Sequence, residues 1–114
     1  MASLLAKVPG QKVIIVDTPI SKYNVPTCLS KNRSDVRPCQ TARSFAMGSN
    51  VGVVETTAAT ALGAGIVDVT PLMCPGDPCP VVLDGMIVYR DNQHMTATFA
   101  LSLRPYVEAV LPAA

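Results

Sequence analysis

Four consecutive β-branched residues, Val13-Ile14-Ile15-Val16, constrain this chain more than any other feature. An unbroken run of this kind predicts a strand over residues 12–17 that is buried on both faces, as in a parallel sheet. Asp17-Thr18-Pro19 ends it. Residues 3–8, ahead of it, read as the last turns of a helix closed by Pro9-Gly10, with Gly10 suited to the left-handed conformation that ends helices. A domain that opens on the tail of a helix looks cut, not started. Downstream, Val51, Val54, Ala58, Ala61 and Leu62 fall on one face of a helix over residues 51–62, with Asn50 as its cap and Gly63 and Gly65 as its stop. Residues 65–69 predict a second short strand, ended by Thr70-Pro71. Val81-Val82-Leu83 and Met86-Ile87-Val88-Tyr89 flank Asp84-Gly85, a strong two-residue hairpin signal. Met95, Phe99, Leu103, Tyr106 or Val107, and Val110 mark one stripe of a final helix that Pro105 kinks or shortens. Strand, helix, strand, hairpin, helix is an α/β order.

The composition fits one packed domain of 114 residues: 49% are hydrophobic and only 15% charged. A formal net charge of +1, with no basic block, argues against a nucleic-acid groove. Few aromatics and no tryptophan argue against stacking platforms for bases. No run of about 18 apolar residues spans a membrane, and the first residues do not read as a signal peptide.

Four cysteines form two local pairs, Cys28 with Cys39 and Cys74 with Cys79. The first brackets a polar loop over residues 29–38, and the second brackets the turn-forming Pro75-Gly76-Asp77-Pro78. An even count in tight local pairs fits two disulfides in an oxidising compartment. Zinc is the rival reading, although neither pair has C-x2-C spacing and there is no second histidine. Reduced core thiols are the third. The whole stretch 21–49, with Pro26, Pro38 and many polar residues, reads as one long irregular loop of a kind usually stapled or functional.

The chemistry concentrates in Asp91-Asn92-Gln93-His94, where an acid stands three residues before the only histidine. With Asp91 near the N-cap of the final helix, His94 falls in its first turn and the side chains meet. The carboxylate then accepts from the imidazole Nδ1 and leaves Nε2 free for an alcohol proton, which is general-base geometry. The bland alternative is an N-cap aspartate followed by a polar surface histidine. In open α/β sheets, sites lie beyond the carboxyl ends of strands, and Asp91 and His94 follow such an end. Arg90 is suited to an anionic group or to a salt bridge. Tyr89 reads as packing, while Asp17, Asp68 and Asp84 read as strand-end or turn acids.

The stretch Val88-Tyr89-Arg90-Asp91-Asn92-Gln93-His94-Met95-Thr96-Ala97-Thr98-Phe99-Ala100 resembles the last block of SGNH hydrolases. More closely, it resembles the SGNH domain fused to bacterial acyltransferase 3 proteins. Residues 13–19, ending in Asp-x-Pro, resemble a strand midway through that domain, and both cysteine loops have counterparts there. The resemblance covers about residues 4–111. It implies a partial SGNH-like domain over residues 1–114: the C-terminal half of a flavodoxin-like three-layer α/β fold. Asp91 and His94 are implied to be the catalytic acid/base pair, with no cofactor and no metal. The implied function is acyl transfer to, or ester cleavage of, O-acyl groups on cell-envelope glycans at the extracytoplasmic face of the membrane. Membrane attachment would come only through an absent upstream transmembrane domain.

One departure matters. The family's nucleophilic serine stands in a Gly-Asp-Ser block, and its oxyanion-hole Gly and Asn follow on later loops, all before the matched region. None of the seven serines here lies in Gly-Asp-Ser, and the single Gly-Ser pair, Gly48-Ser49, reads as a loop leading to a helix cap. The expectation is a chain that is inactive alone. The alternative is a non-catalytic remnant or partner-binding subunit that dimerises, or completes a site with another chain such as the missing N-terminal half.

Overall fold

A computed structural model describes residue 4, residues 6–48 and residues 51–111. In chain order the elements are β1 (Val13–Ile15), α1 (Val25–Lys31), a 3-10 turn (Arg37–Cys39), α2 (Arg43–Met47), α3 (Val51–Leu62), β2 (Gly65–Val67), α4 (Thr70–Met73), β3 (Val82–Leu83), β4 (Met86–Ile87), α5 (Ala97–Ser102) and α6 (Arg104–Val110). This is a small α/β chain in two compact units. The first comprises Met1–Asp17, Ser49–Asp68 and Arg104–Ala114, and the second Thr18–Gly48 and Val69–Leu103.

In the first unit β1 and β2 pair in parallel, Val13 opposite Gly65 and Ile15 opposite Val67. The ladder continues past the strands, with Gly65 N donating to Lys12 O (2.9 Å) and Val16 N to Val67 O (2.8 Å). The parallel pairing agrees with the sequence, but burial on both faces does not. Ile14 and Val16 are buried, whereas Ile15 between them is 65% exposed. Side chains alternate across a strand, so only one face of β1 is covered within this unit.

The helix α3 forms over the expected residues, but the expected stripe is buried only in part: Ala58 is buried and Leu62 half-buried, whereas Val54 and Ala61 are exposed. Glu55, Ala58 and Ala59 are buried, while Val53 and Val54 are exposed. A Cβ at Gly52 would lie 3.3 Å from Val16 Cγ1, so the small-residue side of α3 sits directly on β1. Close approach selects glycine and alanine over the larger valines. Gly63 ends the helix at φ +64°. The expected cap, Asn50, lies outside the described residues, as do Ser49 and, in the expected N-terminal helix tail, Ser3 and Leu5; of the rest, Lys7 N donates to Leu4 O at 3.2 Å in a turn. Gly10 does adopt positive φ, +87°.

The second unit corrects the reading of residues 21–49 as one irregular loop. Three short helical segments interrupt it. The Asn24 side chain caps α1 by accepting from Thr27 N (3.2 Å), and Pro26 occupies the first turn, where no N–H is needed. These turns are too short to carry a hydrophobic period, so tertiary links fix them. Disulfides join Cys28 to Cys39 and Cys74 to Cys79, and no described cysteine is free. That settles the cysteine reading in favour of staples and leaves no thiol for zinc. Arg43 ties α2 to the second disulfide loop, its guanidinium donating to Cys74 O (2.6 Å) and its backbone N to Asp77 Oδ1 (3.0 Å).

The hairpin forms as expected. Val82 pairs with Ile87 and Leu83 with Met86. Asp84 (φ +50°) and Gly85 (φ +75°) both take left-handed conformations, as a type I′ turn requires. The expected final helix is broken at Leu103 into α5 and α6, and Pro105 stands in the first turn of the second piece. No helix among the described residues is long and apolar enough to cross a membrane.

Candidate active site

The buried strand end that follows β4 supports the site. Val88 and Tyr89 are almost fully buried. Val88 N donates to Val81 O (2.9 Å), and Thr96 N donates back to Val88 O (2.9 Å). Tyr89 and Met95 form an antiparallel bridge, and Arg90 N donates to His94 O at 2.8 Å. Residues 90–94 are therefore a tight turn on a short antiparallel stem. The helix begins only at α5, where Thr96 is the cap. Its Oγ1 accepts from Phe99 N (3.1 Å) and donates to Ile87 O (2.6 Å). Asp91 is thus not at the N-cap and His94 is not in a first helical turn, contrary to the sequence reading. A threonine three residues before an apolar position was the missed capping signal.

The two side chains nonetheless meet. Asp91 Oδ1 accepts from the backbone N–H groups of Gln93 and His94, each at 2.7 Å, and Oδ2 lies 2.8 Å from His94 Nδ1. One carboxylate closes the turn and holds the ring it carries. The His94 N–H, then the Gln93 N–H, then the His94 ring hold the Asp91 carboxyl well below the usual carboxylate range. An ionised carboxylate only accepts, so Nδ1 must carry the proton. The neutral ring then has its lone pair on Nε2. That atom has no partner among the described residues, and the His94 side chain is 60% exposed.

The turn is held from behind by the start of the long 21–49 stretch, through contacts that the sequence did not reveal. Ser21 N donates to Asn92 O (2.8 Å) and Val25 N to Asp91 O (3.4 Å). Tyr89 was read as packing and is 2% exposed, but its hydroxyl also donates to Pro19 O at 2.9 Å. Burial pushes the Tyr89 phenol up to about 12. Backbone partners of this kind leave no trace in residue type, which is why the sequence did not announce them.

The other expected residues take simpler places. Arg90 is exposed and in no ion pair among the described residues. In the first unit Asp17 N donates to Glu55 Oε1 (3.3 Å), and Asp68 O accepts from the Tyr106 hydroxyl (2.7 Å). No group of three His, Cys, Asp or Glu among the described residues is arranged to hold a metal ion.

The arrangement of Asp91, His94 and the two cysteine loops falls within one family match. The family model described as the SGNH domain (fused to AT3 domains) matches residues 1–109. The chain belongs to this SGNH family. Membership places it among hydrolase- and acyltransferase-like domains, and the matched region contains every residue of the Asp91–His94 turn. No curated protein and no solved structure matches the chain.

Proposed function

We propose that this SGNH chain carries the acid/base half of an acyl-transfer site, with Asp91 and His94 as the pair. The observation that carries the reading is the ionised Asp91 carboxylate on His94 Nδ1 at 2.8 Å, with the same carboxylate closing the turn. His94 Nε2 takes the proton of a serine hydroxyl as that oxygen attacks an ester carbonyl. It then gives the proton to the departing alcohol, so that an acyl-serine remains. In the second half-reaction Nε2 activates the acceptor hydroxyl or water. Asp91 stabilises the imidazolium in both halves.

The serine comes from outside these 114 residues, in a Gly-Asp-Ser block that the sequence does not contain. The chain is then the C-terminal half of a three-layer flavodoxin-like domain. Its substrates are O-acyl groups of cell-envelope glycans at the extracytoplasmic face, and the two disulfides suit that compartment. The chain alone turns over little or no ester, because it lacks the nucleophile, without which no acyl-enzyme forms, and the oxyanion donors, of which each one is worth about 10²–10³ in rate.

The test joins the chain, in one polypeptide, to a segment bearing the family's Gly-Asp-Ser block and follows deacetylation of an O-acetylated sugar. Turnover is expected in the joined protein, lost on His94→Ala, and absent from the isolated chain. Turnover by the isolated chain that His94→Ala removes would contradict the placement of the serine elsewhere.

Exposed Ile15, Val53 and Val54 favour a second reading, in which the chain is a partner-binding subunit without chemistry of its own. Light scattering separates the two. A stable monomer whose joined form is active removes the second reading.

A further inference from the structure

The second unit buries two hydroxyl side chains against each other. Ser21 and Thr41 are each 3% exposed, and their oxygens lie 3.4 Å apart. Burying hydroxyls is costly unless they are hydrogen-bonded, and here both are. Thr41 Oγ1 accepts from Lys22 N at 2.9 Å, and Ser21 Oγ accepts from Tyr23 N at 3.1 Å. The single proton between the two oxygens is donated by one to the other.

The pair lies between a covalent anchor and the candidate site. On one side Cys79 N donates to Thr41 O at 2.8 Å, and Cys79 is held by its disulfide to Cys74. On the other side Ser21 N donates to Asn92 O at 2.8 Å, inside the turn closed by Asp91. One residue, Ser21, therefore separates Thr41 from the turn. Lys22 and Tyr23, whose N–H groups the hydroxyls accept, lead directly to Val25, which donates to Asp91 O (3.4 Å). Packing alone would be served as well by valine at position 41. The hydroxyl is needed to fix the course of residues 21–25, and that course sets where the carbonyls of Asp91 and Asn92 can sit.

We propose that the buried Ser21–Thr41 hydroxyl pair positions the Asp91–His94 turn. The pair acts through backbone and touches no substrate. It links the orientation of the His94 ring to the loop stapled by Cys74 and Cys79. The proposal rests on Asp91 and His94 being the working pair, but its test reads the ring itself and not turnover. Failure of the acyl-transfer reading would leave that readout intact.

The measurement is the ratio of Nδ1–H to Nε2–H tautomers in the neutral His94 ring, by ¹⁵N NMR of the full chain. His94 is the only histidine, so its ring signals are unambiguous. Thr41→Val removes the acceptor of Lys22 N with little change in shape. The ratio is expected to fall roughly fivefold, the equilibrium equivalent of one ordinary hydrogen bond. Thr41→Ser, which keeps the hydroxyl, is expected to restore it. A purely structural role would lower the denaturation midpoint and leave the ring of the folded protein unchanged. A folded Thr41→Val chain with the wild-type ratio overturns the proposal, as does a Thr41→Ser chain that falls as far as Thr41→Val. Should Thr41→Val fail to fold, Ser21→Ala decides: a lowered ratio supports the proposal, and an unchanged one overturns it.

Discussion

The two units are held in different ways. In the first, a parallel strand pair and the Gly/Ala side of α3 use regular ladders and small-residue packing, and side-chain hydrogen bonds to backbone are few. In the second, the strands are two residues long, and irregular backbone is pinned by two disulfides, an arginine on a disulfide loop and buried hydroxyls. The Asp91–His94 turn is in the second unit. A turn can aim a side chain that no helix or strand would aim, but only if its backbone is fixed from outside. The first unit leaves Ile15 exposed on β1, and in neither unit is a described side-chain polar atom both buried and unpartnered.

The largest expected effect in this comparison comes from Phe99, 3% exposed in α5 of the stapled unit. Phe99→Ala should cost about 3–5 kcal/mol in urea denaturation. A much smaller cost would mean that staples hold this unit without a core. Replacing Cys28 and Cys39 together by alanine should cost about 2–3 kcal/mol, because an open loop restores unfolded-state freedom. The same denaturation curves measure it, and no loss would show that the hydrogen bonds suffice.

Tyr89→Phe should cost about 1 kcal/mol by leaving Pro19 O unpaired. It should also remove a tyrosinate absorbance step at about pH 12. Folding favours the neutral phenol here. The stability tied to it is therefore complete below the ordinary value of 10.0 and is lost as pH rises from there through about 12. The smallest effect is expected in the other unit. Ile15→Lys should change stability by less than about 0.5 kcal/mol, as at an ordinary surface site. A loss of about 2 kcal/mol or more would show that this face of β1 is covered in solution.

Much of this was legible in the sequence, for identifiable reasons. Asp84-Gly85 specified the hairpin because both positions need positive φ. The tight cysteine pairs specified the staples, and Asp-x-x-His brought its two side chains together. The miss on β1 has a simple source: a β-branched run reports what a strand can bury, not what covers it. On α3 the expected stripe placed Ala58 correctly but put Val54 inside and left Ala59 out, because valine is the more hydrophobic residue whereas close packing on the strand favours the smaller one. The short helices between residues 21 and 49 have no period to read, and tertiary links decided them. The turn around Asp91 was read as a helix start because an aspartate closes both with the same backbone hydrogen bonds.

The acid side of the pH range bears on the pair itself. Folding lowers the Asp91 carboxyl, so the stability it brings is present above the ordinary value of 3.8 and is lost as pH falls below it through the lower folded value. The turn should therefore persist down to the bottom of the ordinary carboxylate range, visible as unshifted Gln93 and His94 amide signals. The most direct test of the central claim, that Asp91 fixes His94 with its lone pair on Nε2, is the ¹⁵N spectrum of the neutral His94 ring in the wild-type chain and in Asp91→Asn. A ring protonated on Nδ1 in the wild type, shifting towards Nε2–H in Asp91→Asn, is the predicted result. A wild-type ring protonated on Nε2, or a tautomer ratio that Asp91→Asn leaves unchanged, would contradict it.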